Sequence, residues 1–175
     1  TPAWSAGFLT AVAMFFQVSA SRDADRRLVL AGLPRRSLVI ARLLVGAAVA
    51  ALAAVASLVA LWARTGVDDP VRVVAGTAMT AAVYLGLGAV VGATVTSSVN
   101  GTVLLLFVWI LDVFFGPALS ASDSAVLRLL PTHYVSLWTM ELPTGHSTPA
   151  WLGALAWVVA ATVAAFVVVW ARAAV

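Results

Sequence analysis

The chain contains four long runs without a charged residue, and each is long enough to form a helix that crosses a membrane. The runs are Thr1 to Ser21, Leu43 to Ala63, Val73 to Leu111 and Leu142 to Ala171. A helix needs ~20 residues to cross ~30 Å of hydrocarbon. The runs lack the period-two alternation of barrel strands, and an open sheet cannot satisfy its backbone in lipid. The sequence therefore predicts an all-α integral membrane protein.

Composition and turn chemistry divide these runs into spans. Hydrophobic residues make up 63% of the 175 residues, against roughly 45–50% in soluble domains. The third run is too long for one crossing, and SSVNG (Ser97 to Gly101) predicts a turn that splits it. We therefore expect one transmembrane domain over residues 1–175, without a repeat or linker. Its five spans are predicted at residues 4–20, 39–63, 73–96, 101–121 and 151–170.

The arginines predict the orientation of these spans. A cytoplasmic loop over residues 21–38 places seven of the ten arginines inside and leaves Arg64, Arg72 and Arg128 outside, in agreement with the positive-inside rule. We expect the protein to lie in the plasma membrane with its C-terminus in the cytoplasm. Residue 1 and residues 122–149 are then outside. Because the chain starts outside, and with Thr, we expect an earlier crossing and a complete unit of six spans.

Six arginines lie in SRDADRRLVLAGLPRRSLVIARLL, from Ser21 to Leu44. This segment predicts a short amphipathic cytoplasmic helix over residues 21–32, with Ser21 as its N-cap and Gly32 and Pro34 ending it. Ser37 is the expected cap of the next span. Two interpretations are open from the residues alone: a basic loop that fixes topology and touches anionic lipid, or a docking helix that passes force from a soluble partner.

Two segments carry a resemblance to a known family. LVLAGLPRRSLVIARLL (Leu28 to Leu44) resembles the loop between the second and third spans of type-2 ABC exporter permeases, and RLLPTHYVSLW (Arg128 to Trp138) resembles the outer stretch after their fifth span. The order of spans and loops is similar along essentially the whole chain. One departure is that DADRR stands where the family commonly has Glu-Gly-Thr. In that family the first segment carries the coupling helix that contacts the ATPase subunit.

The resemblance implies a permease subunit of an ATP-driven exporter. Its partners would be an ABC ATPase subunit, which holds ATP and Mg, a second permease chain, identical or homologous, and membrane lipid. The substrate, such as a drug or a lipid, is left open. The alternative is a non-transport membrane scaffold or assembly factor whose basic loop binds lipid or a partner. The residues implied in ATPase contact are Asp23, Asp25, Arg26, Arg27, Leu28 and Leu30.

The residue inventory argues against several other functions. A P-loop needs a lysine, and the chain has none, so we expect no ATP site and no bound cofactor in this chain. Asp112 is the only acid within a predicted span, and both histidines lie in the predicted outer segment. The residues for intramembrane proteolysis are therefore missing, and we expect no enzyme activity. The arginines cluster beside spans rather than on a soluble face, which argues against nucleic-acid binding. Metal-ligand residue types occur at His133, Glu141 and His146, but their spacing matches no metal site, so none is predicted.

A few residues within the spans have competing interpretations. Asp112 is expected near the middle of a span, either on a substrate path or in a structural role, paired with Arg64 or Arg72 or facing an outer vestibule. Trp109, Phe114 and Phe115 either join that path or face lipid and core. Gly88 and Gly92 have GxxxG spacing, which predicts close helix packing, with a substrate groove as the alternative.

The outer segment 122–142 is apolar and is interrupted at Pro131. It predicts two short re-entrant or amphipathic helices in the outer interface, with Tyr134 and Trp138 as interfacial aromatics. The family resemblance favours a lid over an export path.

Overall fold

A computed structural model describes residues 2–64, 69–117, 119, 125–142 and 149–172. Within these ranges all regular secondary structure is helical. Among the described residues, five helices are long and apolar enough to cross a membrane, which confirms the predicted helical class and the number of apolar helices. They are α1 (Pro2–Ala20), α3 (Arg35–Trp62), α4 (Pro70–Thr94), α5 (Ser98–Phe115) and α7 (Ala150–Arg172). Two shorter helices are α2 (Arg22–Leu30) and α6 (His133–Thr139), and a 3₁₀ turn covers Leu127–Leu129.

The start of α3 differs from the prediction. Pro34 occupies the N-cap position with extended backbone (ψ 126°), and the helix begins at Arg35. Ser37 therefore lies inside the first turn, and its assignment as the cap is wrong. A proline fixes φ near the value that this position requires and has no N–H to satisfy, so the Gly32 to Pro34 stop of one helix also starts the next.

The boundary between α4 and α5 lies earlier than expected. Residues 95–97 are not helical, and Ser97 caps α5 by accepting a hydrogen bond from the Asn100 backbone N–H at 3.3 Å. The SVNG sequence thus forms the first helical turn rather than a loop. At the other end α5 stops at Phe115 instead of residue 121, because Pro117 disfavours helical backbone at the residue before it. Asp112 consequently lies in the last turn of α5 and not near mid-span.

Helix α4 lies at the centre of the bundle and contacts α1, α3, α5, α6 and α7. Its glycines allow this close packing. A Cβ at Gly88 would overlap the carbonyl oxygen of Ala11 in α1, and one at Gly92 would lie 2.8 Å from that of Phe15. Gly86 approaches the backbone of Ala161 in α7 in the same way. Gly88 and Gly92 thus lie against the backbone of α1 of the same chain.

The two ends of the bundle differ in the charged residues that they carry. Arg22 contacts the last carbonyls of α4, and Gln17 Nε2 donates to the Arg42 carbonyl at 3.1 Å, so the ends of α1 and α4 meet the start of α3. We call this the basic end, because it collects seven arginines: Arg22, Arg26, Arg27, Arg35, Arg36, Arg42 and Arg172. Arg64, Arg72 and Arg128 belong to the opposite end, with α6. The ten arginines are thus divided seven and three between the two ends of the bundle.

The described part of segment 122–142 contains the 3₁₀ turn before Pro131 and α6 after it. Residues 120–124 lie outside the described ranges. Helix α6 packs on α4 and α7, and its Val135 and Leu137 are buried. The Tyr134 ring lies directly against Gly153 of α7, and Arg72 lies 5.8 Å from the centre of the Trp138 ring. This helix is thus integrated in the bundle and differs from an amphipathic helix lying free on its surface.

Candidate functional site

Helix α2 lies at the basic end of the bundle and is largely exposed. None of its residues is buried, and the side chains of Leu28 and Leu30 are exposed, Leu30 by 80%. Gly32 ends the segment with φ 95°, a left-handed conformation that glycine adopts without steric cost. Ser21 sits at the N-cap position, but its side chain makes no capping bond and instead donates to Asp25 Oδ2 at 3.1 Å.

Two polar joints nevertheless attach α2 to the bundle. The Arg22 guanidinium donates from Nη2 to the carbonyls of Gly92 at 2.6 Å and Val95 at 2.5 Å, which belong to the otherwise unsatisfied C-terminal end of α4. Asp25 forms an ion pair with Arg42 of α3 at 2.6 Å. Burial lowers the pKa of Arg22, and the nearby charge of Arg172 lowers it further. The side chain still keeps its charge, because arginine is not deprotonated in proteins.

The six residues implied in ATPase contact therefore separate into two groups. Asp23, Arg26, Arg27, Leu28 and Leu30 are exposed on α2. Asp25 is different, because its side chain is only 14% exposed and is bound to Arg42. The exposed group forms an uncovered surface of α2, whereas Asp25 and Arg22 connect this helix to α3 and α4.

Asp112 forms a second polar site, at the opposite end of the bundle. The residue is 1% exposed and accepts hydrogen bonds from Tyr84 Oη at 2.8 Å, Thr132 Oγ1 at 2.7 Å and the Thr132 backbone N–H at 3.2 Å. The predicted partnership with Arg64 or Arg72 is wrong, since Arg72 pairs with Asp69 and Glu141 instead. Exposure to an outer vestibule is also wrong for this buried carboxylate.

The network around Asp112 ties several elements together. Thr132 Oγ1 also accepts a hydrogen bond from the Trp4 indole N–H at 3.3 Å, and Trp109 donates to the Trp4 carbonyl at 3.0 Å. Tyr84 belongs to α4, Trp4 to α1, and Thr132 directly precedes α6. The network therefore joins α1, α4 and α5 to the segment that leads into α6. His133, the next residue, is buried beside it, with its ring 5.1 Å from that of Tyr134.

The aromatic residues of α5 do not converge on an internal path in this chain. Phe114 and Phe115 are exposed on the outside of the bundle, Phe114 by 60%. Trp109 is half-buried, with its ring 5.3 Å from that of Phe8. Asp112 is buried and enters the network described above instead. A path that uses Phe114 and Phe115 would need a second surface, from lipid or another chain.

The candidate metal residues gain no support as a group. His133 is buried in α6, Glu141 is exposed and pairs with Arg72, and His146 lies outside the described residues. Among the residues that the structure describes, no three His, Asp or Glu side chains are placed to hold a metal ion.

Sequence reasoning missed both the joints of α2 and the partners of Asp112. Tyr84 lies 28 residues before Asp112 and Thr132 lies 20 residues after it, so no local motif connects them. A signal was present, since a buried intramembrane acid requires donors and Tyr84 is a polar group within an apolar run.

Comparison of the chain with protein-family models, curated proteins and solved structures finds no match.

Proposed function

We propose that the chain is the permease subunit of an ATP-driven exporter of the type-2 ABC kind, which works with an ATPase and a second permease chain. The observation that carries the proposal is the construction of α2. This helix buries none of its own residues, yet charged side chains join it to two of the long helices. A helix that only marked the cytoplasmic side of the membrane would not need such joints.

The proposed mechanism starts at the exposed side of α2. An ATPase subunit contacts Arg27, Leu28 and Leu30, and nucleotide-driven closure displaces α2. Arg22 passes this displacement to the end of α4, and the Asp25–Arg42 pair passes it to α3. Coupling of this kind requires rigid elements that both sites bias, and the hydrogen bonds of Arg22 at 2.5 and 2.6 Å supply a short connection.

The displacement can reach the opposite end through α4. This helix contacts every other long helix, and its Tyr84 binds Asp112 in the network that leads into α6. Movement of α4 would therefore alter the position of α6 relative to α5. The exposed Phe114 and Phe115 on α5 offer apolar surface to a second permease chain. The export path would open between the two chains.

The proposed orientation places the basic end in the cytoplasm. Seven arginines at that end, against three at the other, agree with the positive-inside rule. ATP and Mg would bind to the ATPase subunit, where α2 would meet it. The five apolar helices would lie in the plasma membrane.

The test uses the full-length protein, purified in mild detergent from its native host, with Arg27→Glu as the variant and Arg64→Glu as the control. Arg27 is exposed on α2, and Arg64 is exposed at the opposite end, so both changes reverse one charge outside the core. We expect a stoichiometric Walker-motif ATPase to co-purify with the parent and the control and to be lost from Arg27→Glu. Co-purifying chains are identified by mass spectrometry, and ATP hydrolysis is assayed.

Two outcomes would contradict the proposal. The first is that no ATPase co-purifies with the parent protein and that the complete protein contains no ATPase domain of its own. The scaffold function would then be the better explanation. A change in membrane insertion by Arg27→Glu, with ATPase association unaffected, would assign the arginines to topology instead.

A further inference from the structure

The basic end contains a cleft of about 480 Å³ between four helix ends and α2. This volume falls within the ~300–1,000 Å³ range of ligand sites. Four apolar side chains contributed by α1, α3, α4 and α7 line it, together with three arginines and two aspartates. The lining residues are Val18, Leu38, Ala93, Val169, Arg22, Arg26, Arg172, Asp23 and Asp25.

The charges in this cleft are unbalanced. Asp25 is neutralised by Arg42, so Asp23 is the single remaining carboxylate against three arginines. Within the described part of the chain, neither Arg22, Arg26 nor Arg172 forms an ion pair. An anion in the cleft would supply the missing countercharge.

Arg22 and Arg172 provide a second argument that the cleft binds an anion. Both residues line the cleft, and burial together with the like charge of Arg172 lowers the pKa of Arg22. The Nε–H of Arg22 is buried and meets no acceptor among the described residues. Unused guanidinium N–H groups of this kind are the donors with which arginine binds phosphate oxygens.

The apolar part of the lining distinguishes between kinds of anion. Val18, Leu38, Ala93 and Val169 lie near the ends of long apolar helices. In the proposed orientation this is the level where a bilayer changes from acyl chains to headgroups. A small soluble anion gains nothing from such a surface. A phospholipid presents a phosphate and the start of an acyl chain within a short distance, and it would contact both parts of the cleft.

We propose that the cleft binds an anionic phospholipid of the cytoplasmic leaflet, with its phosphate held by Arg26 and Arg172 beside Arg22 and its upper acyl chain against the apolar lining. This assignment rests on the proposed orientation of the basic end, and it is independent of any ATPase. A lipid in this position contacts α2 and the end of α7 at once, and so stabilises the attachment of α2 to the bundle.

The test measures lipid binding to the purified full chain by native mass spectrometry in neutral detergent. The probes are phosphatidylglycerol, phosphatidylcholine and glycerol 3-phosphate. The variants are Arg26→Gln and Arg172→Gln, which remove one charge each without touching the bonds between Arg22 and α4. The control is Arg36→Gln, an exposed arginine of the basic end that does not line the cleft.

We expect phosphatidylglycerol to bind more tightly than phosphatidylcholine. Each cleft variant should weaken its binding about five- to tenfold, which corresponds to one basic contact, and the control should change it less than twofold. An equal loss in the control would overturn the proposal in favour of diffuse surface attraction. Equal binding of both lipids, or no effect of either variant, would also overturn it. Displacement of the lipid by glycerol 3-phosphate at equal concentration would assign the site to a soluble anion.

Discussion

Replacement of Asp112 by alanine tests whether the buried network holds the bundle together. The carboxylate accepts hydrogen bonds from Tyr84 and twice from Thr132, and at 1% exposure it has no access to replacement water. Alanine would leave all three donors without an acceptor. We therefore expect Asp112→Ala to lower the stability of the folded bundle.

The size of the effect follows from the number of bonds. Hydrogen bonds between membrane helices are worth about 0.6 kcal/mol each on average and about 1.7 kcal/mol at most. Three such bonds give a loss of about 2–5 kcal/mol by that scale. For a chain of this size 1 kcal/mol shifts Tm by roughly 2–4 °C, so Tm should fall by roughly 4–20 °C.

The assay is thermal unfolding of the purified chain in detergent, followed by the fraction that stays monodisperse after heating. Asp23→Ala is the control, because it removes an exposed carboxylate. Tyr84→Phe, made alone and in combination with Asp112→Ala, completes a double-mutant cycle. We expect Tyr84→Phe to cost about 0.6–1.7 kcal/mol in the parent and close to nothing once Asp112 is absent.

Two results would refute this reasoning. A Tm of Asp112→Ala equal to or above that of the parent would mean that the cost of burying the carboxylate exceeds the gain from its three bonds. Additive effects of Tyr84→Phe and Asp112→Ala would likewise show that the two side chains do not act through one contact.

Three further predictions concern packing, orientation and the attachment of α2. Gly88→Leu should destabilise the bundle by at least about 1–3 kcal/mol, because its side chain would overlap the backbone of α1, whereas Ala78→Leu on the exposed side of α4 should change Tm little. An impermeant maleimide should label the single-cysteine variant Ala31→Cys only in inverted vesicles and the variant Ala63→Cys only in intact cells. The reverse pattern would contradict the proposed orientation. Asp25→Asn should speed amide hydrogen exchange in α2 up to about fivefold, equivalent to about 1 kcal/mol, and unchanged exchange would show that the ion pair does not restrain the helix.

The sequence was sufficient to predict the apolar helices because length and hydropathy are local properties. It also predicted the packing role of Gly88 and Gly92, since close helix contact requires small residues at that spacing. The helix ends were predicted less well. Pro34 and Pro117 each changed a boundary by constraining neighbouring backbone, at the start of α3 and the end of α5, and both effects were readable from the proline positions.

The partners of buried polar groups were harder to predict than the helices. Arg64 and Arg72 were predicted as partners of Asp112 because their charge is opposite to that of a carboxylate. The packing of the bundle instead brings the hydroxyl groups of Tyr84 and Thr132 to Asp112. Arg72 is satisfied by Asp69, three residues away in sequence, and by Glu141. Which donors reach a buried acid depends on how helices distant in sequence pack, and that information is not in the local pattern.

The packing also restricts which helices can move relative to one another. Helices α1 and α4 approach backbone to backbone, at Gly88 against Ala11 and at Gly92 against Phe15, so neither can slide without steric overlap. Between α1 and α3 the contact at Gly46 is made by the side chain of Met14, which is flexible and adapts to displacement. A force applied to α2 should therefore move α1 and α4 as one unit, and the change in relative position should fall at the softer boundary with α3.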